Sequence, residues 1–231
     1  NGYVELNGKR ISIPTICLEE DAARIIVKEK DYTVYRLDRL GIPLVEIATG
    51  TEISSPDECR KVAEKIGLIL RSVKVKRGIG TIRQDVNVSI KDGARVEIKG
   101  AQDLRLLDKI VALEVQRQLA LLKIRDELRK RKVRKIDVEM KDLSSMLREC
   151  GSKIIADALK RNETILGLKI KKLKGIFKVE IAPNRRFGKE LAELVKLVGL
   201  GGIIHSDELP AYGIGMKDVE SIRKALSCKE M

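Results

Sequence analysis

Hydrophobic and polar positions alternate most strictly between Thr81 and Lys99. There Ile82, Val86, Val88 and Ile90 fall on one side of an extended chain, and Arg83, Asp85, Asn87 and Ser89 on the other. A second run repeats the pattern, with Ala94, Val96 and Ile98 against Arg95, Glu97 and Lys99. Residues paired across two strands share a face, so the register follows. A two-residue turn would set Ile90 against Arg95. A three-residue loop of Lys91, Asp92 and Gly93, with Gly93 left-handed, sets Ile90 against Ala94, Val88 against Val96 and Val86 against Ile98. The polar face then pairs Ser89 with Arg95, Asn87 with Glu97 and Asp85 with Lys99. That row has two readings. It is a solvated sheet face with cross-strand ion pairs, or, with Arg83, an array that orients a phosphate, a metal or a carboxylate.

Before this hairpin the pattern predicts another, Tyr3 to Leu6 and Arg10 to Ile13 around Asn7-Gly8. Glu19, Glu20 and Asp21, within the run from Ile16 to Val27, read as the acidic first turn of a helix, with a metal or substrate role as the other meaning. Gly41 and Pro43 mark a turn, after which Leu44, Val45, Ile47 and Ala48 form a short buried strand interrupted by Glu46. A carboxylate in such a strand needs a cation, a metal or strong donors, unless its face is exposed. Ser55, Pro56 and Glu58 supply the N-cap, first position and capping-box acid of a helix to about Val73. Gly78 and Gly80 come next, a weak sign of close approach to a ligand. From Asp103, Leu104, Leu107, Val111, Val115, Leu119 and Leu122 recur at helical spacing, predicting a helix to about Lys130, on the order of 40 Å long.

The charge run from Arg125 to Lys135 reads as a solvated helix end and linker, or as a contact to RNA phosphates, and its composition places a domain boundary between residues 132 and 133. Beyond it the predicted order is a strand (Ile136 to Met140), a helix (Asp142 to Arg161), strands (Thr164 to Leu173 and Ile176 to Ile181), a helix (Gly188 to Val198) and a strand (Gly202 to His205). This is the split βαβ, ferredoxin-like arrangement, with a final helix from Met216 to Ser227. Arg185 and Arg186 are its sharply basic loop. His205, Ser206 and Asp207 are consecutive and point in different directions, so a structural or surface histidine is the expected meaning rather than a triad.

Composition narrows the chemistry. The chain has no apolar run of membrane-spanning length and no signal-peptide order, which implies a cytoplasmic location. Its four cysteines are far apart and reduced thiols are expected; with one histidine, metal binding rests on carboxylates and favours magnesium over zinc. A net charge of +13 favours a polyanionic partner, and only 3% aromatic residues favour structured RNA held by its backbone over stacked single strands.

Three motifs, DRLGIPLVEIATGTEISSPDE, GTIRQDVNVSI and ARVEIKG, resemble in order and spacing the catalytic subunits of the tRNA-dependent amidotransferases, the B and E subunit group. The later blocks ILGLKIKKLKGIFKVEIAPNRRFGKELAELV and GLGGIIHSDELPAYGIG are similar to the domain inserted in the archaeal branch, which also occurs in bacterial-type aspartyl-tRNA synthetases. The resemblance implies an α+β chain with a partial cradle-like catalytic domain over residues 1–132 and an inserted domain over 133–231. It implies ATP-dependent phosphorylation of the glutamyl carboxylate of Glu-tRNA(Gln), then amidation with ammonia from an asparaginase-like D subunit. Glu46 then sits where the family has a magnesium ligand, and Asp85 joins it as a metal ligand. Arg83, Asp85, Asn87, Glu97 and Lys99 become the catalytic set, with Arg95 in the same strand motif. Arg39, Arg83 and Lys99 become the nucleotide-binding set. The family's catalytic domain carries a further N-terminal segment with metal ligands and a helical C-terminal region, and neither has a counterpart in this sequence. The chain also opens on Asn1, so an internal piece, inactive alone, is expected. A non-catalytic RNA-binding module that kept the fold is the competing expectation; it would leave Glu46, Asp85 and Glu97 scattered.

Overall fold

A computed structural model describes residues 2–78, 81–134 and 138–228. Its packing separates two units, residues 1–87 with 97–112 and residues 88–96 with 113–231. The packing division thus falls within a helix, whereas composition changes after it.

The first unit opens with β1 (Gly2–Leu6) and β2 (Lys9–Ile13), antiparallel with Leu6 opposite Lys9. Asn7 and Gly8 both have positive φ (51° and 80°), the two-residue turn that Asn-Gly dictates. Next come β3 (Thr15–Glu20), β4 (Arg24–Lys28), β5 (Thr33–Arg36) and β6 (Pro43–Ala48). They form two separate antiparallel pairs, β3 with β6 and β4 with β5. The segment expected to be a helix with an acidic first turn is therefore strand. Thr15 and Ile16 favour extended backbone, and a partner strand outweighs a weak local preference. Nor is β6 buried: Val45 and its cross-strand partner Leu18 are 63% and 79% exposed.

Helix α1 (Pro56–Ser72) starts as expected, with Ser55 accepting from the Glu58 amide at 3.2 Å. The Glu58 carboxylate reaches past the cap to the Ser54 amide and to Lys9. The helix seats Val62 against Val4, Ile11 and Ile13. The hairpin of β7 (Val86–Val88) and β8 (Val96–Ile98) is shorter than the alternation predicts. Arg83 turns to a carboxylate and Gln84 donates to the Ala101 carbonyl at 2.8 Å, which takes residues 83–85 off the ladder. Asp92, not Gly93, is left-handed (φ 64°). Gly93 is needed for space: a Cβ there would lie 2.7 Å from Ile90 Cγ1.

Helix α2 (Leu104–Lys130) ends where its periodicity does. Its buried stripe drifts from the apolar one, since Leu107 and Val111 are followed by Glu114, Gln118 and Ile124, while Leu119 is 48% exposed. In the second unit, Ile124 packs with Leu173, Ile176 and Ile181, and a separate core joins Leu143, Leu147, Ile155, Ile214, Val219 and Ile222. The elements there are β9 (Glu139–Asp142), α3 (Lys153–Lys160), β10 (Leu166–Lys169), β11 (Glu180–Ala182), β12 (Arg185–Arg186), α4 (Phe187–Lys196) and α5 (Met216–Ala225).

This is a mixed helix and strand unit, but not the predicted split βαβ sheet. Among the described residues β9 pairs only with β10 and β11 only with β12. Gly202 to His205 forms no strand; it comes after Gly199 and includes Gly202, both at positive φ (85° and 159°). The helix predicted from Asp142 is only α3, because a Cβ at Gly151 would lie 3.1 Å from the Gly213 carbonyl, a close backbone approach that breaks the helix before Ser152. Ile136 and Asp137 of the predicted strand lie outside the described residues, as does Gly80. No helix among the described residues is long and apolar enough to cross a membrane.

Candidate functional site

Asp21 organises one half of the site. Its amide donates to the Ile42 carbonyl at 2.9 Å and its carbonyl accepts from the Gly41 amide at 3.0 Å, which clamps the DRLGIPL turn against the end of β3. Gly41 has the positive φ (76°) that the reversal requires. The turn brings Arg39 back onto the Asp21 side chain, where Nε donates to Oδ2 at 2.6 Å. Arg83 Nη2 donates to Oδ1 at 3.1 Å. The carboxylate is 6% exposed and Arg83 62% exposed, so a buried anion holds guanidinium groups that present outward. The Arg39 hydrogen bond, against the opposing effect of burial and with the charges of both arginines, holds the Asp21 carboxyl below its ordinary range.

The other half is acidic. In the β3–β6 register Cys17 faces Glu46 and Glu19 faces Leu44, so Glu19 and Glu46 are diagonal neighbours on one face. The Glu46 carboxyl is held above its ordinary range, first by a hydrogen bond with Glu19 and by that group's charge, then by desolvation and the charges of Asp85 and Glu97. Burial of β6 is therefore not the main cause. Asp85 accepts from the Gly100 amide at 2.9 Å, which with Lys99 keeps its carboxyl below its ordinary range. Lys99 Nζ lies 2.9 Å from Glu97 and 3.4 Å from Asp85. The Glu97 hydrogen bond is the main reason its ammonium is held more basic than usual.

The structure thus gathers Arg39 and Arg83 on Asp21 and sets Lys99 on Asp85 and Glu97, while Glu46 feels the charges of Asp85 and Glu97. The predicted Asp85–Lys99 pair forms. Asn87 makes no side-chain hydrogen bond among the described residues, and Arg95 falls in the second unit. Among the described residues no three His, Cys, Asp or Glu side chains are close enough to ligate one ion. Magnesium commonly takes one or two protein carboxylates and completes its shell with water and phosphate oxygens, so the like-charged Glu19–Glu46 pair fits such a partial site. Sequence reading gave Glu19 and Asp21 a metal or substrate role only as the second meaning of a helix start; the β3–β6 pairing sets Glu19 beside Glu46, and Arg39 and Arg83 mark Asp21.

Elsewhere, Arg185 is committed within its own unit, donating to Glu190 at 3.1 Å and to Glu193 at 2.6 Å. His205 is structural, stacked on Phe177 (5.1 Å between centroids) with Nε2 3.2 Å from Glu208. Asp207 accepts instead from the amides of Gly175 and Phe177, at 2.7 and 3.0 Å.

Residues 1–165 match the GatB/GatE catalytic domain and residues 155–230 the GAD domain. Among curated proteins, the chain is 51% identical over 230 residues to the E subunit of the glutamyl-tRNA(Gln) amidotransferase of Archaeoglobus fulgidus, covering 99% of this chain and 36% of that protein. The Pyrococcus furiosus protein of the same name is 53% identical over 233 residues (100% and 37%), and that of Methanocaldococcus jannaschii 48% over 233 residues (100% and 37%). The chain therefore spans little more than a third of the length of these relatives.

Proposed function

The chain belongs to the GatB/GatE catalytic-domain family, and on that premise we propose that it forms part of an amidotransferase E subunit that converts Glu-tRNA(Gln) to Gln-tRNA(Gln). The glutamyl carboxylate oxygen attacks the γ-phosphorus of ATP and ADP leaves. Ammonia from an asparaginase-like D subunit then attacks the acyl carbon, and phosphate departs with the oxygen that bridged it. A carboxylate resists amines until that oxygen becomes a leaving group, and phosphoryl transfer rests on positioning and charge stabilisation. The observation that carries this reading is the juxtaposition of a guanidinium pair anchored on buried Asp21 with the acidic cluster of Glu19, Glu46, Asp85 and Glu97.

Arg83, with Arg39, orients phosphate or carboxylate oxygens by charge-assisted hydrogen bonds. Glu46 with Glu19 would hold magnesium by direct carboxylate bonds, with Asp85 reaching it only through bound water, and the ion would neutralise phosphate charge. Lys99 is kept protonated by Glu97 and Asp85 and offers its cation to the developing phosphate, while Asn87 lies on β7. The partial catalytic domain is the cradle in which these groups converge.

The test is magnesium-dependent ATP binding by the protein and by Glu46→Ala, followed by amidation of Glu-tRNA(Gln) with the D subunit present. ATP binding abolished by the substitution supports the assignment. Wild-type ATP affinity in Glu46→Ala, with tRNA binding intact, overturns it in favour of a non-catalytic RNA-binding module.

A further inference from the structure

Two basic runs far apart in sequence meet in the second unit. The first is the end of α2 with the residues just after it, Arg129, Lys130, Arg131, Lys132 and Arg134; the second is the loop from Lys171 to Lys178. Arg131 joins them, its Nη1 donating to the Lys172 carbonyl at 3.0 Å and the Lys174 carbonyl at 2.8 Å. Leu173, 9% exposed, anchors the loop in the cluster that contains Ile124 and Leu128 of α2. On the far side Asp207 holds the Gly175 and Phe177 amides. The loop is thus pinned three ways, while Lys171, Lys172, Lys174 and Lys178 stay exposed around the buried leucine.

The local carboxylates do not cancel this charge. Asp126 is engaged by Arg125 at 3.0 Å and Arg129 at 3.6 Å, and Glu127 by Arg131 at 2.8 Å. Lys130, Lys132, Arg134, Lys171, Lys172 and Lys178 have no carboxylate partner among the described residues. A lysine that serves only solubility needs no pinned backbone. Cations held in a fixed array suit a ligand with charges at fixed spacing.

We infer that this surface, α2's basic end with the Lys171–Lys178 loop, docks the phosphate backbone of a folded RNA. Among the described residues of the loop and of the end of α2 the one aromatic, Phe177, is packed into the core cluster, so the surface offers charge without stacking platforms. The RNA is the tRNA of the proposed reaction, and to that extent the inference rests on that reading.

The experiment is tRNA(Gln) binding by fluorescence anisotropy across a salt series, with the wild type, Lys130→Ala/Lys171→Ala/Lys172→Ala, and a control of equal charge change, Lys28→Ala/Lys30→Ala/Lys217→Ala. Each phosphate contact contributes about 0.7–0.9 to the slope of log K against log salt, so the first triple variant loses about 2–3 from the slope and roughly tenfold or more in affinity at moderate salt. The control keeps the wild-type slope. An unchanged slope in the first variant overturns the inference, and so does an equal loss in the control, which would mean diffuse attraction rather than a built surface. The assay uses no ATP, so failure of the amidotransferase reading appears separately, as ATP binding insensitive to Glu46→Ala.

Discussion

Substituting Arg117→Met tests whether the polar stripe of α2 is held by one cation. Arg117 donates twice to Glu114, at 2.8 and 2.9 Å, and once more to Glu190. The Glu114 side chain is 9% exposed and that of Arg117 20%. Burial pushes the Glu114 carboxyl up, but the hydrogen bonds from Arg117 and Gln118 and the Arg117 charge outweigh it and leave it below its ordinary range. Removing one partner of a fully buried pair costs about 3–5 kcal/mol, and the partial exposure of Arg117 lowers this to about 2–4 kcal/mol. In a chain of this size that is a fall in Tm of about 5–15 °C.

The pH dependence carries a sign. In the wild type, Glu114 stabilises above its unfolded pKa, near 4.3, and that contribution is lost as pH falls through the lower folded value. In the variant burial, opposed only by the Gln118 hydrogen bond, raises the folded value, so Glu114 opposes folding at neutral pH and ceases to do so once protonated. The difference between wild type and variant is therefore largest near pH 7 and shrinks towards pH 4. Urea denaturation at both pH values measures it. Adding Glu114→Leu to the variant recovers much of the loss, since an apolar pair replaces a stranded charge and Glu190 keeps Arg185. A single variant within about 0.5 kcal/mol of wild type at pH 7, against the several expected for a broken buried pair, or a difference that grows on acidification, would refute the reasoning.

Three further outcomes are expected. Glu19→Gln removes the neighbour that raises Glu46, so the Glu46 carboxyl titrates at lower pH, read by carbon-detected NMR; an unmoved midpoint would mean desolvation rules there. Asp21→Asn leaves the backbone clamp on Gly41 and Ile42 but releases the guanidinium groups, and on the proposed function it lowers ATP-dependent amidation by the assembled enzyme roughly tenfold or more with little change in tRNA affinity. Gly188→Ala places a Cβ 2.7 Å from His205 Cδ2 and 3.1 Å from the Phe177 carbonyl. The overpacking costs about 1–3 kcal/mol despite the better helix former, seen as a lower thermal midpoint; a stabilised variant would show that His205 swings aside.

Local signals were enough where the deciding interaction is local. Asn7-Gly8 determined its turn through positive φ, Ser55-Pro56 started α1, and the periodicity from Leu104 carried α2 to Lys130, all within a few residues of chain. The alternation from Thr81 to Lys99 identified the charged row and its Asp85–Lys99 pair. The motif order identified the family. Other features were decided by partners distant in sequence. Glu19 and Glu20 became the end of a strand because β6 supplies its ladder, and only that pairing turned Glu19 and Glu46 into a repelling pair. Arg39 and Arg83 met on Asp21 because a turn 18 residues away and the segment leading into β7, 62 residues away, converge on one buried carboxylate. The lysine loop and the basic end of α2 became one surface only through Arg131 and Leu173. Charge and periodicity are properties of neighbours along a chain, whereas a site is a property of neighbours in space, and the burial of apolar side chains chooses those.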